Sequence, residues 1–156
     1  MQEPVAYFNG TYVPLSQARL DPFDRGVLMS DSVYDATRTF DGKIFRKREH
    51  LARLFRSLQF LRIDPNLSID ECADIWEEVT RINEPMRGNG DFQVRQFVTR
   101  GKSPLLGQQG NASEPMVPTI IVTALSIDFS RYSSLYDNGA HVVFPSTRAY
   151  QTNSVE

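Results

Sequence analysis

Three arginines stand in places where a permanent charge needs a reason. Arg38 lies in the middle of a strand-like run, Arg53 within a helix-like run, and Arg95 in the middle of a later strand-like run. A guanidinium is a planar fork that is never deprotonated, and it matches the oxygens of a carboxylate or a phosphate. Arginines projecting from a sheet toward a cleft therefore point to an anionic small molecule. The plainer alternative for each is a pair with a nearby Asp or Glu, or a long stem reaching water. No other local motif competes. A nucleophile elbow, a P-loop, a dinucleotide-binding glycine fingerprint and a HExxH pair are absent, and Gly88-Asn89-Gly90 is too short to cradle a phosphate. Cys72, alone, cannot form an internal disulfide, and with His50 and His141 it makes no zinc set at metal-ligand spacing. Cys72 and Trp76 read as core filling.

The background to these residues is ordinary. The chain has 156 residues, 40% apolar and 23% charged, which fits one globular domain or a domain with the start of another. A net charge of -2 gives no electrostatic footprint for nucleic acid or an anionic membrane. The longest strongly apolar run, Ile120 to Leu125, falls far short of the roughly 20 residues that span a bilayer. The N-terminus MQEPVAYFNG lacks the basic-then-apolar pattern of a signal peptide, so a cytoplasmic location is expected.

The elements that must position the arginines are legible from period and punctuation. Asn9-Gly10 between two short apolar stretches predicts a hairpin over Val5 to Val13. A loop through Leu20 to Gly26 leads to a predicted strand over Ser32 to Phe40. There, Tyr34, Ala36, Arg38 and Phe40 share one face, and Val33, Asp35, Thr37 and Thr39 the other. Asp41-Gly42 supplies a second tight turn into Lys43 to Arg46. Leu51, Leu54, Phe55, Leu58 and Leu61 then recur at helical spacing until Asp64-Pro65. Ser68 and Glu71 form a capping box before a second helical stripe of Cys72, Ile75, Trp76, Val79 and Ile82. Strands are predicted over Phe92 to Thr99, Thr119 to Leu125 and Gly139 to Thr147. The long loop from Gly101 to Pro118 is a candidate for function, and Ile127 to Asn138 reads as a polar linker. There is no internal repeat.

The order of these features resembles the class IV, or fold type IV, aminotransferases. The resemblance rests on Tyr7-Phe8-Asn9-Gly10, Phe23-Asp24-Arg25-Gly26, the run from Asp31 to Arg38, Asp41 to Arg46, and Glu49-His50-Leu51-Ala52-Arg53-Leu54. Val94-Arg95 and Val98 to Gly101 extend it. It implies an α+β fold, a mostly antiparallel sheet packed by two helices, as in the small N-terminal domain of such enzymes. It also implies pyridoxal 5'-phosphate as cofactor, an amino donor and a keto acid such as 2-oxoglutarate as substrates, and a homodimer. Carried over residue by residue, Arg53 matches the arginine that holds the cofactor phosphate. Tyr34 and Arg38 fall at substrate-pocket positions, and Arg95 falls where branched-chain enzymes place an arginine near a substrate carboxylate. Glu49 and His50 belong to the helix-start signature and read as structural.

Where the family usually has glycines, this chain has Ser30, Ser32 and Ala36. Lys102 to Leu106 stands where D-amino acid enzymes carry an arginine, which favours branched-chain or amine specificity. Transamination needs a lysine as nucleophile and base. Lys43, Lys47 and Lys102 all lie outside that lysine's family context, so no catalytic residue is assigned in this chain and the lysine is expected beyond Glu156. Residues 1–126 accordingly read as the N-terminal domain, 127–138 as an interdomain linker and 139–156 as the start of a C-terminal domain, with the fragment alone inactive. The alternatives are an (R)-selective amine or D-amino acid transaminase, an aminodeoxychorismate lyase, and a non-catalytic remnant.

Overall fold

Two tight turns set the first strands. At Asn9 and Gly10 the backbone takes φ of 45° and 95°, left-handed values tolerated by Asn and Gly. They close the hairpin of β1 (Val5–Phe8) and β2 (Thr11–Pro14), with Phe8 opposite Thr11. Asp41-Gly42 likewise joins β3 (Ser32–Phe40) to β4 (Lys43–Ile44). With β5 (Phe92–Thr99) and β6 (Thr119–Ser126) these strands form one six-stranded sheet in the order β2-β1-β6-β5-β3-β4, every pairing antiparallel. The structure is a computed structural model that describes residues 3–103, 115–144 and 146.

Strand alternation divides the sheet into a covered and an open face. The covered face carries Phe92, Val94, Gln96 and Val98 of β5 with Ile120, Val122 and Ala124 of β6, all buried. Onto it pack two helices, α2 (Lys47–Leu61) through Leu51, Leu54 and Leu58, and α3 (Ile69–Asn83) through Cys72, Ala73, Trp76 and Val79. These are the helical stripes the sequence predicts, and Ser68 with Glu71 forms the expected capping box. One buried polar contact completes this layer: Trp76 Nε1 donates to Gln96 Oε1 at 2.7 Å. Another staples the layers together, because the buried Asn83 amide donates to the Val5 carbonyl and accepts from the Val5 N–H, each at 2.8 Å.

Three local readings of the sequence need correction. The loop ahead of β3 contains a short helix, α1 (Arg25–Met29), because the Asp24 carboxylate caps it through the Gly26 N–H at 2.7 Å. The polar segment after β6 contains α4 (Ser130–Asn138), begun by an Asp128 side chain that accepts from the Ser130 N–H at 3.0 Å. Its serines weaken the sequence signal. Gly139 to Phe144 do not form the expected strand. A strand needs a hydrogen-bonded neighbour, and among the described residues none pairs with this segment. The part of the Gly101 to Pro118 loop numbered 104–114 lies outside the described residues, as do 145 and 147–156.

Candidate functional site

β3 is the strand from which the site is built, since its successive residues serve opposite faces. On the covered face, Asp35 is 3% exposed and sits beside two residues of the first turns of α2. Its Oδ2 accepts from Arg53 Nε at 2.7 Å, and its Oδ1 accepts from Arg53 Nη2 at 2.8 Å. His50 Nδ1 also lies 2.7 Å from Oδ1. Burial pushes the Asp35 carboxyl up, but the Arg53 guanidinium and then His50 outweigh it and hold the group below the usual carboxylate range. The same pair raises the Arg53 guanidinium above its ordinary value. Although anchored at one edge, the Arg53 side chain remains 59% exposed. It lines a hollow shared with Phe45, Arg46, Glu49, His50 and Arg56. His50 is thus satisfied, as its structural reading requires, and Glu49 pairs with Arg46 at 3.0 Å.

The open face of the sheet holds the other candidates. Tyr34 and Arg95, with Phe97, Ile121, Thr123 and Leu125, line a concavity of about 550 Å³, within the range of small-molecule sites. The Arg95 guanidinium lies 5.7 Å from the centre of the Tyr34 ring and donates to Gln93 Oε1 at 3.1 Å. Among the described residues Arg95 has no carboxylate partner. Arg38 is differently placed. It shares the open face but donates to Asp91 Oδ2 at 2.8 Å and lies over the rings of Phe40 and Phe129, at 4.2 and 4.8 Å. Its charge is already matched. Tyr34 and Arg95 are therefore brought together, Arg38 is held apart by Asp91, and Arg53 lies on the opposite face.

What joins the two faces is the edge of β3. β4 pairs only with Thr39 and Phe40, so from Ser32 to Arg38 the outer edge of β3 has no strand beside it among the described residues. A further hollow, between the β3–β4 turn and α3, is lined by Lys43, Lys47 and Arg81, of which Lys47 is paired with Glu77 and Arg81 with Glu78.

Sequence reasoning names Arg53, Tyr34 and Arg95 but misses Asp35 as the partner of Arg53. The signal was present: a carboxylate alternating with Val33, Thr37 and Thr39 on a buried face needs a cation. The apolar lining from Phe97, Ile121 and Leu125 follows from the same alternation. It requires knowing that helices cover only one face.

The sequence and the fold have counterparts among known proteins. The chain is 32% identical over 136 residues to a D-alanine aminotransferase of Bacillus licheniformis, covering 87% of this chain and 45% of that protein. It is 37% identical over 99 residues to a Methanocaldococcus jannaschii protein provisionally named a branched-chain-amino-acid aminotransferase, covering 64% of this chain and 33% of that one. The fold matches the branched-chain amino acid aminotransferase of Escherichia coli, with TM-score 0.68 and 24% identity over 81% of this chain and 40% of that chain. It also matches the T.th. branched-chain amino acid aminotransferase complexed with N-(5'-phosphopyridoxyl)-L-glutamate, with TM-score 0.66 and 21% identity over 81% and 42% of the two chains. The chain therefore spans less than half the length of these relatives. Because the family model for amino-transferase class IV matches residues 32–152, from the first residue of β3 onward, the chain belongs to the class IV aminotransferases.

Proposed function

We propose that this chain supplies one wall of the active site of a pyridoxal 5'-phosphate-dependent aminotransferase. In this reading Arg53 holds the cofactor phosphate, and Arg95 beside Tyr34 receives the carboxylate of an amino or keto acid. The observation that carries it is the exposed Arg53 fork, anchored at one edge by Asp35 and open at the other. Two of the five N–H groups of a guanidinium go to Asp35, and the remainder suit the oxygens of a phosphate. The residues present thus fit the phosphate end of the cofactor. When bound, that cofactor supplies an electron sink for the substrate's amino-bearing carbon. The chain's own part is to bind and orient: Arg53 at the phosphate, Arg95 at a carboxylate, and Phe97, Ile121 and Leu125 as an apolar floor that excludes water from the substrate side chain.

The apolar floor favours a branched-chain or comparable hydrophobic donor, with 2-oxoglutarate as acceptor. Arg95 rather than Arg38 takes the acceptor's carboxylate, since Asp91 already matches Arg38. A homodimer in the cytoplasm and small-molecule partners alone complete the reading. The segment boundaries at 126 and 138, with a further domain carrying the lysine, are part of the same proposal. The test is a steady-state assay of the whole protein, including the further domain proposed to carry the lysine, with a branched-chain donor and 2-oxoglutarate, before and after Arg95→Ala. A rise in KM for the dicarboxylate far larger than for a neutral amine donor supports the assignment, and equal rises overturn it. Release of pyruvate from an aminodeoxychorismate-type substrate without any keto acceptor would instead identify a lyase.

A further inference from the structure

We infer that Asp35 is the positioning residue that turns Arg53 from a wandering surface cation into an oriented fork, with His50 fixing Asp35 in turn. The inference rests on the phosphate-holding role proposed for Arg53 and goes on to say what makes that role possible. An arginine with a side chain 59% exposed has a long flexible stem, and immobilising it on a ligand has an entropic cost. Here that cost is met on folding. Nε and Nη2 both bond the buried carboxylate, at 2.7 and 2.8 Å, which fixes the plane of the guanidinium and leaves Nη1 on the outer edge.

The third member follows from the donor and acceptor inventory. Asp35 Oδ1 is a carboxylate oxygen and can only accept, so the 2.7 Å contact places a hydrogen on His50 Nδ1. With that hydrogen in place, the 3.2 Å approach of Arg53 Nη2 to the same nitrogen sets donor against donor and is no hydrogen bond. Arg53 Nη2 is thereby directed to Asp35 alone. Asp35 carries no catalytic duty here, because both its oxygens are bonded within the fold and it is buried beneath α2.

The arrangement opposes two effects. Asp35 cancels part of the positive charge that Arg53 offers, which weakens anion binding, while fixing the fork, which strengthens it for a ligand of the right geometry. If orientation dominates, Asp35→Asn lowers selectivity for phosphate even though it makes the site more positive. If charge dominates, the same substitution raises it.

The experiment is equilibrium dialysis of the full chain against pyridoxal 5'-phosphate and against pyridoxal, which lacks the phosphate, with inorganic phosphate as competitor. The readout is the ratio of the two dissociation constants. Loss of an oriented charge-assisted contact should shrink that ratio about tenfold. Arg53→Ala and Asp35→Asn should both do so, while affinity for pyridoxal changes little. A lowered ratio in Arg53→Ala with an unchanged or raised ratio in Asp35→Asn overturns the inference and leaves the phosphate role of Arg53 intact. An unchanged ratio in Arg53→Ala overturns that role itself. Should Asp35→Asn fail to fold, Arg53→Lys keeps the charge and loses the fork. A ratio as low as that of Arg53→Ala then supports orientation, and one near the parent value refutes it.

Discussion

The contact between Trp76 and Gln96 can be tested quantitatively, because both side chains are fully buried and their bond is well isolated. Trp76 Nε1 donates to Gln96 Oε1 at 2.7 Å, and the Gln96 amide reaches only the Cys72 sulfur, at 3.4 Å. Among the described residues no buried side-chain nitrogen or oxygen lacks a partner. Gln96→Leu keeps the volume roughly constant but strands the indole N–H where water cannot follow. An orphaned buried donor costs about 1–3 kcal/mol, so a loss of about 2 kcal/mol is expected. Trp76→Phe strands the amide oxygen instead and leaves space where the indole was, for a loss of about 3 kcal/mol. The double variant has neither orphan. Its loss should fall short of the sum by about 1–2 kcal/mol, well beyond the ~0.5 kcal/mol scatter of independent sites. Thermal denaturation of all four proteins measures this, each kcal/mol moving Tm by roughly 2–4 °C at this size. Additive losses, or a neutral Gln96→Leu, would refute the claim that this bond matters to the core.

Other expectations follow from the same structure. Gly101→Ala should be severely destabilising: φ is +89°, and an added Cβ would lie 1.8 Å from the Val117 carbonyl oxygen, which a fall in Tm or in folded yield will register. Ser68→Ala removes the acceptor that caps α3 and should lower stability by about 1 kcal/mol in chemical denaturation. Acid should weaken the fold through Asp31 and Asp35. Arg100, then Arg25 against the opposing effect of burial, holds the Asp31 carboxyl below its ordinary value, and at Asp35 burial is outweighed by Arg53 with His50. The unfolded chain then binds more protons in that range. Stability is therefore fully present above the ordinary carboxylate value near ~4 and is lost as pH falls below it, toward the folded values. A Tm profile between neutral and acid pH should show this drop, and Asp31→Asn should flatten it. An unaltered profile in that variant would remove Asp31 from the account.

The strands and helices that hold the site were written in short-range signals. Asn9-Gly10, Asp41-Gly42 and the capping box at Ser68 each act within a few residues, so their outcome could be read locally. The site itself was legible in part. Arg53 and Arg95 stood out because a cation in a periodic apolar pattern is conspicuous. Asp35 did not, for its meaning depends on a later helix, begun at Lys47, and on which face that helix covers. The Asp91 partner of Arg38 lies 53 positions away and carries no local mark. The helix over Ser130–Asn138 carries little local mark, because its serines argue against one.

The alternation at the heart of β3 also governs how the gene can drift. Tyr34 and Asp35 are adjacent, yet one borders the open concavity and the other lies beneath α2. Substitutions at Tyr34, Phe97 or Ile121 can reshape what the concavity admits while the anchored arginine behind the sheet stays untouched. Insertion or deletion of one codon between Ser32 and Tyr34 has the opposite character. It would turn a carboxylate outward and a phenol inward along the rest of the strand, losing both faces at once. A two-codon change would restore the faces but slide the pairing with β5 by about 7 Å. On the proposed reading, descendants of this sequence diverge in specificity by point mutation, whereas β3 must keep its length.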